Sequence, residues 1–101
     1  NIITIDNALD KVMSIRGVFY NRINDEKKVQ QIGVIAQELE PVVPQAVTYC
    51  DVNDEYGVSY GNLAGLFIEA IKEQQQTIDK QATEIAELKW SGIDSNLLNQ
   101  F

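Results

Sequence analysis

Apolar positions follow two different rhythms along this chain. Up to about residue 60 they come in short runs, each closed by a polar or proline-bearing turn; from Asn62 onward they recur at helical spacing. In the first part Asp6 is a candidate N-cap, and Ala8, Leu9, Val12 and Met13 follow at helical spacing. This predicts a short amphipathic helix over Asn7 to Ser14, stopped by Gly17. Val18 to Ile23 is rich in β-branched and aromatic residues and predicts a strand; Asn24 to Lys28 is a turn, and Val29 to Ile35 returns. Ala36 to Glu40 reads as one helical turn ended by Pro41. Pro44 then requires Val42-Val43 to be extended, because a residue before proline avoids the α region. Ala46 to Val52 is a further strand, Asn53-Asp54-Glu55 turns the chain, and Tyr56 to Tyr60 is a short edge strand.

The second rhythm is stricter. Residues 62 to 90 contain no proline, no glycine after Gly65, and good helix formers throughout. Ile71, Ile78 and Ile85 are spaced by seven, and with these at heptad position a, Phe67, Gln74, Gln81 and Leu88 fall at d. A repeat of about 3.5 residues is a coiled-coil seam, not the face of a globular helix. With glutamine at two of the four d positions, a lone helix buries too little apolar area, and isoleucine at a with a polar d layer favours three strands over two. Glu84 at g and Lys89 at e are placed to pair between chains. The competing reading is a helix that packs on its own domain. Trp90 followed by Ser91-Gly92 predicts the helix end, and Leu97, Leu98 and Phe101 make the tail apolar enough to fold back.

The expected fold class is therefore α+β. A small head of short strands, hairpins and short helices (residues 1–60) precedes a long C-terminal helix (61–90) forming a homotrimeric coiled coil, with a tail over 91–101. Its 101 residues make a single domain, too small to bury a large core alone.

Charge narrows the partners. A formal net charge of −7, from 15 acidic against 8 basic residues, repels phosphate and anionic lipid, which argues against nucleic-acid and membrane partners. Lys27-Lys28 follows Asp25-Glu26 and reads as a solvated turn. No basic n-region or long apolar run opens the chain, and the apolar cluster from Leu63 to Ile71 is too short to span a bilayer. Opening on Asn1, the chain reads as a piece of a longer polypeptide.

Candidate chemistry is sparse. Cys50 is the only cysteine and is expected half-buried in its strand; with no histidine in the chain it lacks the usual partner for a thiolate nucleophile. Asp51, Asn53 and Glu55 begin like a calcium loop, but Tyr56 stands where glycine is required and Asn62 where the closing glutamate should be. No phosphate-cradling loop occurs, and Lys11 and Ser14 are ordinary neighbours on a helix. No catalytic, cofactor-binding or metal-binding residues are assigned, and no cofactor is expected.

The order of segments resembles the endosialidase-type intramolecular chaperone, the peptidase S74 family. Asn1-Ile2, Asn7 to Val12 and Tyr20 resemble its opening. Ile32-Gly33-Val34-Ile35-Ala36-Gln37-Glu38-Leu39-Glu40, followed by Val43-Pro44-Gln45-Ala46-Val47, resembles its central signature. Val58-Ser59-Tyr60-Gly61-Asn62-Leu63 and Ile68-Glu69-Ala70-Ile71-Lys72-Glu73 resemble the block that leads into the coiled coil. The resemblance covers about residues 1 to 88 in the right order. It implies a C-terminal module of phage tail spikes and fibres that joins three identical chains and assists folding of the upstream fibre. It further implies self-cleavage at a serine, with a lysine nearby, both preceding Asn1, so that these residues are not themselves expected to act as an enzyme. The implied setting is a virion-associated precursor folded in the host cytoplasm, from which the chaperone is released after cleavage. The two hairpins and the loop from Asp51 to Glu55 are candidates to touch the client, whereas Tyr20, Ile35 and Leu39 are expected in the core. A plain trimeric coiled-coil tag and part of a Ser-Lys self-cleaving peptidase are the alternatives.

Overall fold

A computed structural model describes the backbone of residues 1–99 and the side chains of residues 1–91. The elements in chain order are helix α1 (Ala8–Met13), strands β1 (Val18–Asn21) and β2 (Gln30–Gly33), helix α2 (Ala36–Leu39), a 3-10 turn (Pro44–Ala46), strands β3 (Val47–Cys50) and β4 (Glu55–Val58), and helix α3 (Tyr60–Asn99). The α+β architecture of short hairpins and short helices followed by a long helix is the one the sequence predicts.

The strands form two separate antiparallel hairpins, β1-β2 and β3-β4. In the first, Phe19 pairs with Ile32 and Tyr20 with Gln31, and alternation puts Val18 and Tyr20 half-buried on one face and Phe19 on the open one. In the second, Tyr49 pairs with Tyr56, their rings tilted with centroids 4.9 Å apart. The β3-β4 turn places Asp54 at φ 50, a left-handed conformation that aspartate tolerates better than most residues.

The core lies between α1, α2, the 3-10 turn and the first turns of α3. Ala8, Leu39, Ala46, Leu63, Leu66 and Ala70 are buried together, with Leu9, Val12, Ile15, Val34, Val43, Val47 and Val58 packed around them. Alanine at three of the six buried positions lets the backbones approach closely, which is how so short a head builds a core. Leu39 is fully buried, as expected, but Tyr20 and Ile35 are not in the core: both are only half-buried, Tyr20 on an open two-stranded hairpin and Ile35 at the start of α2.

Several boundaries differ from the sequence prediction. Asn7, not Asp6, is the N-cap of α1; it lies at φ 50 and makes no side-chain cap hydrogen bond. Val42 is not extended: its N–H bonds the Leu39 carbonyl at 3.0 Å, continuing the α2 turn, and only Val43 leaves the α region, at φ −135 and ψ 72. Proline at the first position of the 3-10 turn, where no N–H is needed, takes Ala46 out of the expected strand. Tyr60 opens α3 instead of closing a strand, because β4 ends at Val58 and the Ser59 carbonyl accepts from the Asn62 N–H at 3.0 Å. Cys50 is exposed, not half-buried. Ser91-Gly92 does not stop α3, whose backbone runs to Asn99; one glycine costs only about 1 kcal/mol in a helix interior. The expectation that Leu97, Leu98 and Phe101 fold back concerns side chains outside the described residues.

Candidate functional site

The long helix carries two apolar stripes, and they have different fates. Leu63, Leu66 and Ala70 are buried against the head, and half-buried Glu73 continues the same face. The heptad stripe lies beside it and is uncovered. Phe67 is 41% exposed, Ile71 65%, Ile78 49%, Ile85 64% and Leu88 71%, and Gln74 and Gln81 are exposed as well. From Gln74 to Ser91 every residue is exposed. Short-range bonds hold this stretch: Gln75 Nε2 donates to Asp79 Oδ1 at 2.9 Å, and the Thr77 and Thr83 hydroxyls donate to carbonyls one turn back. None of these removes the isoleucines from water.

Some of the residues singled out in the sequence tie the head to the base of the same helix, and others do not. Gly33 lies under the Tyr60 ring tip, where a Cβ would land on the hydroxyl, and the Val34 N–H donates to Tyr60 Oη at 3.3 Å. Ile35 is the N-cap of α2, its carbonyl accepting from Glu38 and Leu39 N–H at 3.0 Å each, and Ala36 is buried behind it. Gln37 is exposed. Pro44 opens the 3-10 turn that delivers buried Ala46, whose carbonyl accepts the Ser59 N–H at 2.7 Å. Exposed Lys72 pairs with half-buried Glu69 at 3.5 Å, one turn apart within α3. Ile32 projects from the hairpin, 76% exposed, beside Phe19 at 67%.

Two connections lie outside what the sequence predicts. Glu73 reaches out of α3 to accept the Leu9 N–H at 2.6 Å, supplying the cap that Asn7 does not. A carboxylate at a helix N-terminus also opposes the positive end of the peptide dipoles. Arg16 forks onto Glu38, Nε to Oε1 at 2.9 Å and Nη2 to Oε2 at 2.8 Å, joining the link after α1 to α2. The hydrogen bond, aided by the charge, holds Glu38 below the ordinary carboxylate range and Arg16 above its ordinary value. At the β3-β4 tip the Tyr49 hydroxyl donates to Asp54, and that bond first, with desolvation, raises the Tyr49 phenol. Among the described residues no group of carboxylates and cysteine converges as a metal site would require. No described helix is long and apolar enough to cross a membrane.

The sequence that builds this head and helix has relatives among known proteins. Residues 1–48 match the family model of Peptidase S74, described as chaperone of endosialidase. Those residues carry the chaperone-of-endosialidase signature. The long tail fiber protein Gp37 of Enterobacteria phage K3 is 36% identical over 80 residues, 71% of this chain. Gp37 of Enterobacteria phage T2 gives the same figures, and Gp37 of Enterobacteria phage M1 is 29% identical over 86 residues, 79% of this chain. An 80-residue match is longer than the 48 residues of the chaperone-of-endosialidase model, so the likeness to Gp37 extends past residue 48. The chain spans 6% of the K3 and T2 proteins and 34% of the M1 protein. Of the signature residues, Gly33, Ala36, Glu38, Tyr60, Leu63, Ala70 and Glu73 sit where one part of the head meets another or where head meets helix; Ile32 and Gln37 do not.

Proposed function

We propose that this domain is the trimerising intramolecular chaperone of a phage tail fibre. Two further copies of the same chain cover the stripe Phe67, Ile71, Gln74, Ile78, Gln81, Ile85 and Leu88, and the polypeptide upstream is the folding client. The observation that carries this reading is the bare heptad stripe on a helix that its own head does not reach beyond Glu73. Its chaperone-of-endosialidase match and its Gp37 relatives supply the fibre context. A fibre of intertwined chains is slow to start, because contacts between chains form only after large entropy losses. Holding three C-termini in register raises their mutual concentration to about the millimolar range. Self-cleavage at a serine upstream of Asn1, following folding in the host cytoplasm, would release the helper and leave the fibre behind a high unfolding barrier.

Sedimentation tests the oligomer. The chain is expected to run as a trimer at tens of micromolar, and Ile78→Asp as a monomer, since a charge buried in the seam costs several kcal/mol. A wild-type monomer at that concentration overturns the reading. Co-expression of an upstream fibre with and without this domain tests the chaperone role. Equal yields of soluble fibre trimer would leave only an oligomerisation tag.

A further inference from the structure

Two apolar features near the base of α3 are left over after the head has been packed. One is a shallow groove of about 330 Å³ between α1 and α3, lined by Leu9, Val12, Phe67, Ala70, Ile71 and Gln74. The other is Ile68, 53% exposed on the opposite flank of the helix. We propose that they are two halves of one interface: Ile68 of a second copy of this chain docks in the α1-α3 groove of the first, so that the head as well as the coiled coil builds the assembly.

Helical angles bring the two halves together. Phe67, Ile71 and Gln74 belong both to the groove and to the heptad stripe, so whatever covers the stripe at this level also roofs the groove. At 3.6 residues per turn, the residues that hold α1 centre roughly 90° round the helix from the stripe, and Ile68 lies roughly 90° round the other way. In a three-helix bundle each neighbour lies about 30° to either side of the line to the common axis. One neighbour is therefore about 60° from α1 as seen from the shared helix. With all axes about 8–10 Å apart, α1 packs against that neighbour as closely as against its own α3. The flank the neighbour presents there is the one bearing Ile68. Repeated round the threefold axis this is a head-to-tail contact that closes on itself, each copy giving its Ile68 and receiving another's. Glu73 is then a positioning residue: by capping α1 at Leu9 it fixes the groove wall.

This inference rests on the trimer proposed above, and its test separates the two. In a Cys50→Ser background, which removes the exposed native thiol, the pair Val12→Cys and Ile68→Cys is expected to give disulfide-linked dimers and trimers on mild oxidation. Neither single cysteine should do so. Independently, Ile68→Asp should raise the trimer dissociation constant at least about ten-fold while the circular dichroism of the dissociated chain is unchanged, since Ile68 takes no part in the head core. A stable trimer with no cross-link, or an unchanged dissociation constant for Ile68→Asp, overturns the docking and leaves the coiled coil standing. A wild-type chain that stays monomeric overturns both.

Discussion

At the scale of single residues, the motif from Ile32 to Glu40 turns out to be joinery. Gly33 is needed because the Tyr60 hydroxyl occupies the space a Cβ would take, and that hydroxyl in turn receives the Val34 N–H. Gly33→Ala is therefore expected to destabilise the head by about 1–3 kcal/mol in urea unfolding, through forced displacement of Tyr60. A glycine in Ile32-Gly33-Val34 is visible in the sequence, but its cause is not, because Tyr60 meets it only in the folded chain. The same holds for Glu73: nothing in a run of helix formers says that this glutamate, and not Glu69, will reach a distant N-terminus. The Arg16-Glu38 pair makes a pH prediction. Glu38 is held below the ordinary carboxylate range, so its contribution is complete above that range and fades as pH falls through its lowered value. Both partners are open to solvent, so the effect is small. Arg16→Gln should reduce the loss of stability on acidification, measured as the urea midpoint in buffer below the ordinary carboxylate range against neutral buffer.

At the scale of elements, local signals are legible where side-chain type decides and illegible where the next element decides. Both hairpins follow from β-branched and aromatic runs separated by polar turns, and α2 from a short helical pattern before Pro41. The end of β4 does not follow, because Tyr60 has the character of a strand residue yet opens α3 under the pull of Leu63 and Leu66 into the core. The heptad stripe is readable throughout, since a seven-residue repeat depends on no other part of the chain. The inner stripe of Leu63, Leu66 and Ala70 is readable only in part: Leu66 carries no motif of its own, although its spacing from Leu63 and Ala70 marks the same face. A helix exposed on all sides from Gln74 to Ser91 has little tertiary support, and isolated helices of this length are marginal in water. Its helicity is expected to fall on dilution, with the 222 nm signal tracking the sedimentation-derived fraction of trimer. A concentration-independent signal would mean that the helix stands without sister copies.

At the scale of the whole molecule, the radius of gyration is 22.1 Å and the principal extents are 79 × 41 × 18 Å. A compact chain of this length has a radius of about 13 Å, so the projecting helix, not the head, sets the dimensions here. Each copy brings a net charge of −7, and the proposed trimer would concentrate that charge along one axis. Raising salt from about 0.01 to 0.15 M shortens the screening length from about 30 to 8 Å, so the trimer dissociation constant should fall as salt rises. A constant that rises with salt would point instead to attractive pairs, such as Glu84 with Lys89, as the dominant charge effect.

The hairpins have one further consequence. Every strand in the head has a neighbour on one side only, so each offers a row of free amides and carbonyls to passing chain. All four strands are four residues long, and in an antiparallel ladder alternate residues face outward, leaving about two per edge. So short a template can greet an extended segment but cannot keep it. Under the chaperone role proposed above, strands this short would allow the domain to let a β-rich client go.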